Sequence, residues 1–93
     1  MEKNLNRPFV NWKGEELAST NMADEVCKIL YNVGSNGNVS PDEKWMAYKL
    51  CNRIMKTPER VGLSSEETVF VLKLCAESLL AGAYGQIKEM LEG

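Results

Sequence analysis

Two four-residue signatures constrain this chain more than any other feature: Ser40-Pro41-Asp42-Glu43 and Ser64-Ser65-Glu66-Glu67. In each, the serine can accept a hydrogen bond from the backbone of a first helical turn. The glutamate three residues later can reach back to the serine amide. Pro41 places its ring where a missing N–H costs nothing. These two starts open what should be the second and third helices.

The second helix is expected over about 41–56. Ala47, Leu50, Cys51, Ile54 and Met55 make its apolar stripe, Trp45 and Tyr48 widen it, and Pro58 terminates it. The third is expected over about 65–81. From Val69 to Ala83 it is apolar nearly all round, broken only by Lys73, Glu77 and Ser78. A helix with so little polar surface belongs at the centre of a bundle. Gly82 and Gly85 each weaken helix formation by about 1 kcal/mol, so a break is expected there. A last helix over about 83–91 would dock through Ile87, Met90 and Leu91.

Upstream, Asn21 can cap a first helix over about 22–33, with Asp24 and Glu25 at the positive end of its dipole. Met22, Val26, Ile29, Leu30 and Val33 share one face, and Gly34 can end the helix by taking positive φ. Ser35 to Val39 reads as a polar connector. The lead-in reads as a β-hairpin over about 7–18. Bulky Phe9, Val10 and Trp12 precede the Lys13-Gly14 turn, and Phe9 and Trp12 are its expected anchors. The reading is one domain over 1–93: a mainly α, three- to four-helix orthogonal bundle with a small N-terminal β-hairpin. The third helix lies at the centre, with the first two across it.

Composition narrows the chemistry. The 93 residues carry no histidine, which removes the commonest general base and a major metal ligand. The net charge of -2 lets neither sign dominate, against a chain built mainly to grip nucleic acid or anionic membrane. No apolar run reaches the roughly 18 residues of a membrane span, and Met1 to Asn6 lack a signal core. Three cysteines, an odd number, suit a reducing cytoplasm.

The cysteines Cys27, Cys51 and Cys75 lie 24 residues apart, beside core positions and without the close pairing of a zinc site. They read as buried, unreactive thiols, and their spacing as that of three amphipathic helices rather than a repeat array. Three of the four adjacent carboxylate pairs fall at helix starts, where dipole and cap account for them without acid–base work. The remaining pattern is basic. Lys49, Arg53, Lys56 and Arg60 recur every three or four residues, and residues 41–60 carry five basic against three acidic side chains. They are the candidate partner-binding residues, for an acidic protein or for nucleic acid. A solvated helix face with basic residues at its negative end is the plainer account. A helix-turn-helix is excluded by the long link from Lys56 to Leu63 and by the acidic opening of the next helix. No glycine-rich phosphate loop is present.

The lead-in Arg7-Pro8-Phe9-Val10 with Lys13-Gly14-Glu15-Glu16-Leu17, the opening Asn21-Met22-Ala23, the run Gly62 to Glu67, and the close Tyr84-Gly85-Gln86 with Leu91-Glu92 form a layout. It resembles that of small uncharacterised helical proteins of bacterial phages, prophages and mobile elements. The resemblance implies a context, an accessory protein of such an element, and brings no catalytic residues with it. The functional expectation is therefore a non-enzymatic protein-interaction or assembly factor with no cofactor and no metal. It would be cytoplasmic and act on a protein partner or on a second copy through the third or last helix, where apolar surface is in excess. The alternative is a nucleic-acid-binding or regulatory protein using the basic face of the second helix. Its binding should weaken steeply with salt and be lost on changing Arg53 and Lys56 to glutamate.

Overall fold

The computed structural model describes residues 2–34 and 39–93. The element order is β1 (Glu2–Lys3), α1 (Met22–Tyr31), α2 (Pro41–Lys56), β2 (Val61–Gly62), α3 (Ser65–Ser78) and α4 (Ala81–Glu92). Residues 35 to 38 of the connector expected over Ser35 to Val39 lie outside the described residues.

The helix starts are set by their caps. The Asn21 side chain accepts from the Asp24 amide. Ser40 and Ser64 each form the full reciprocal box with Glu43 and Glu67. The ends follow equally local causes. Asn32 turns both its amides onto the Lys28 carbonyl, and Gly34 takes φ +100 just beyond. α2 stops at Lys56, ahead of Pro58.

The break between the last two helices sits at Leu79–Leu80, earlier than expected, and both Gly82 and Gly85 lie inside α4. Leu79 is extended (φ -106, ψ 151), and this turn of the backbone, not glycine freedom, redirects the chain. A glycine costs a helix only about 1 kcal/mol, less than the docking of Ile87 and Leu91 returns.

α1 and α3 share the middle of the bundle, and α2 packs on α1 rather than across α3, a second correction. α1 packs most closely against α2 and also against α3, which in turn meets α4. Met22, Ala23, Val26, Cys27 and Leu30 are buried out of its ten residues. α3 buries Val71, Leu72, Leu74 and Cys75, but Val69 on its opposite side is 68% exposed. On α2, Ala47, Leu50, Cys51 and Ile54 are buried as expected, while Met55, Trp45 and Tyr48 face outward.

The lead-in is a strap rather than a free hairpin. The reversal expected over 7–18 is closed by the antiparallel bridge Val10↔Glu16 and by Leu17 N–H donating to the Phe9 carbonyl. Gly14, at φ +84, makes the turn. Farther upstream, β1 pairs antiparallel with β2, Glu2 opposite Gly62 and Lys3 opposite Val61. The chain then ties the link after α2 to the start of α1. Leu5 N–H donates to the Pro58 carbonyl, Ala23 N–H to the Leu5 carbonyl, and Met22 N–H to the Arg7 carbonyl. Leu5 and Phe9 are buried in the same apolar cluster as the helices. Trp12, expected as an anchor, is 91% exposed at the turn.

Gln86 of α4 holds the strap from the other side. Its Oε1 accepts from Val10 N–H at 2.9 Å and its Nε2 donates to the Val10 carbonyl at 3.0 Å, as a neighbouring strand would. Gln86→Leu leaves both Val10 groups without a partner in a half-buried place. The expected loss is about 1–3 kcal/mol, read from urea unfolding, with α-helical circular dichroism unchanged.

Candidate functional site

The three thiols are free and buried. Cys27 and Cys51 face each other across the α1–α2 seam, each Sγ donating to the other's carbonyl at 3.6 Å. Burial, then the neighbouring Cys51, pushes the Cys27 thiol up to about 12. Burial alone takes Cys75 up to about 11. Thiols held neutral in this way are poor nucleophiles. The unfolded chain ionises them near 9, so stability is whole below that pH and falls as pH rises through 9 toward 11–12. At pH 8 without denaturant, iodoacetamide should modify none of the three, and unfolding midpoints should drop between pH 8 and 10.5. Rapid labelling in the folded state at pH 8 would contradict this.

Among the described residues, no group of three or more Cys, Asp or Glu is placed to hold a metal ion. Among them, too, no helix is long and apolar enough to cross a membrane. A cavity of about 590 Å³ between the strap and α4 has mixed walls including Lys3, Arg7, Glu16 and Glu89.

The structure gives the four basic residues different surroundings. Arg53 is committed to the fold: its Nη1 meets Glu67 Oε1 at 2.8 Å and the Gly62 carbonyl at 3.2 Å. The same Glu67 oxygen accepts the Ser64 amide, so one carboxylate serves the α3 cap and the link to α2. The Arg53 hydrogen bond, followed by the Ser64 amide, holds the Glu67 carboxyl below the usual range. Arg60 lies past the end of α2, in the turn closed by Thr57. Lys49 sits over the Trp45 ring, its Nζ 5.4 Å from the centroid. Lys56 is exposed and, among the described residues, makes no ion pair.

Two surfaces that sequence reasoning did not single out are more distinctive. The first is an apolar groove of about 370 Å³ between the strap and the α3–α4 joint. Phe9, Val10 and Leu17 form one wall, Leu79, Leu80 and Ala83 the other, and Glu25 stands at its edge. Leu80 is 87% exposed and occupies the N-cap of α4, where no side chain caps the helix. The second is an aromatic shelf on α1 and α2. Trp45 and Tyr48 stack at 5.9 Å and 17°, and Tyr31 meets Tyr48 at 6.3 Å. Little in the sequence signals the groove, because the expected break at Gly82 and Gly85 put Leu80 inside the third helix rather than at the uncapped start of α4.

Comparison with family models, with curated proteins and with solved structures finds no match to this chain.

Arg53→Ala should lower stability by up to about 1 kcal/mol, against little change for Lys56→Ala. The Glu67 contribution is present above the ordinary carboxylate range and lost as pH falls through the lowered folded value. Arg53→Ala should therefore also flatten the acid limb of a stability–pH curve. An unchanged acid limb would refute the structural role.

Proposed function

We propose that this chain works by binding a protein chain rather than by catalysis, through the groove at the α3–α4 joint, and that its first occupant is a second copy of itself. Leu80 carries this reading. A serine or aspartate there would stabilise α4 by about 1 kcal/mol, and a leucine at 87% exposure gains nothing from burial in the isolated chain. A residue that costs stability on two counts is accounted for by a contact made elsewhere.

The argument for a second copy is shape. Trp12 projects 91% exposed from the turn just beyond Val10, and Val10 itself lines the groove. A protruding indole and an apolar hollow on neighbouring parts of one surface are self-complementary, as a two-fold dimer requires. Tryptophan is also the residue type most enriched among interface anchors. The resemblance to small proteins of phages and mobile elements supplies the setting, an accessory or assembly factor. The free, buried thiols suit a cytoplasmic home.

Leu80→Ser separates folding from association. It should raise the unfolding midpoint at dilute concentration by about 1 kcal/mol equivalent. It should also shift the parent chain's dimer to monomer in light scattering, as should Trp12→Ala. A parent chain that stays monomeric at millimolar concentration would sink the second-copy reading. An unaltered dimer in both variants would remove the groove from it.

A further inference from the structure

The outward face of α2 carries a second, independent feature. Around that face lie Lys44, Trp45, Tyr48, Lys49, Asn52, Met55 and Lys56; the helix's only acidic side chains, Asp42 and Glu43, are in its first turn, with Asp42 sharing a hollow with Trp45 and Lys49. Glu43 is turned back onto the Ser40 amide. Among the described residues, none of these three lysines makes an ion pair. Trp45 is 59% exposed although it stacks on Tyr48, and Tyr31 extends the aromatic surface across to α1.

We propose that this face binds single-stranded nucleic acid, with bases stacking on the Trp45–Tyr48–Tyr31 shelf and the backbone phosphates lying along Lys44, Lys49 and Lys56. Two requirements meet here. Sequence-tolerant binding of single strands needs aromatic rings open to a base and cations spaced to follow the phosphates. A protein interface core, by contrast, is depleted in lysine, and this shelf has lysines on both sides. The whole chain's charge of -2 does not prevent it, because at physiological salt a field is felt over about 8 Å, and Glu67, the α3 carboxylate that shares a hollow with Trp45 and Lys49, is already paired with Arg53. Duplex is disfavoured, since its bases are already stacked on one another and offer no free face to the rings.

The basic set differs from the one the sequence suggested. Arg53 is excluded by its bond to Glu67 and Arg60 by its place beyond the helix, while Lys44 enters. Three phosphate contacts give a salt dependence, as log affinity against log salt, of about -2.

The test uses the full chain with Trp12→Phe, which leaves Trp45 as its only tryptophan and removes the indole proposed for the groove. Oligo(dT) is titrated at low salt, following Trp45 fluorescence and, with a labelled strand, anisotropy. The expected result is Trp45 quenching, a slope of about -2, and a loss of about tenfold or more on Tyr48→Ala or on Lys49→Glu with Lys56→Glu. Circular dichroism and urea unfolding of each variant exclude misfolding, since all these side chains are exposed. Several results would overturn the proposal: no binding at low salt; binding that inorganic polyphosphate displaces equally well and Tyr48→Ala does not touch; tighter binding of duplex; or binding of a poly-glutamate peptide in place of the oligonucleotide.

Discussion

The position of Leu5 underlies the whole arrangement. This residue is fully buried, yet it belongs to a stretch with no helix of its own. Its N–H is taken by Pro58 and its carbonyl by Ala23, so the connection after α2 and the start of α1 are tied through one residue of strap. A short irregular segment can enter a core only if its backbone polar groups are paired. Here that pairing supplies much of the tertiary structure. The β1–β2 ladder and the Gln86 bonds to Val10 continue the same logic at either end of the strap.

The helix boundaries were largely legible because they rest on local chemistry. Ser40 and Ser64 announce their helices by residue type and spacing alone, and Pro58 announces an end. What the sequence concealed was arrangement. The apolar length of α3 suggested a helix buried nearly all round, but burial depends on which neighbours reach it, and Val69 has none to cover it. Trp12 looked like an anchor by size, although the turn carries it outward. The pairing of Glu2–Lys3 with Val61–Gly62 joins segments nearly sixty residues apart, and no periodicity records such a contact. The partner of Arg53 was hidden for a similar reason: it is a glutamate 14 residues away, which helical spacing cannot reveal.

α2 therefore has three different edges. One is buried against α1, one is tied to the head of α3 by Arg53, and one faces outward with rings and lysines. Substitutions along a single helix will have unlike consequences according to edge, and charge reversal at Arg53 reports on folding before it reports on any ligand. The groove at the α3–α4 joint lies on other elements altogether, so the proposed self-association and the proposed ligand capture on α2 would not compete for the same side chains.

The mutual thiol–carbonyl contacts of Cys27 and Cys51 carry an evolutionary corollary. Each sulfur is small, weakly polar and satisfied only by the helix opposite, so neither position can drift alone without leaving a hollow or a crowded seam. Descendants of this chain should exchange the two together, in volume-matched couples, and a lineage that keeps one while altering the other would have had to shift α1 against α2 to do so.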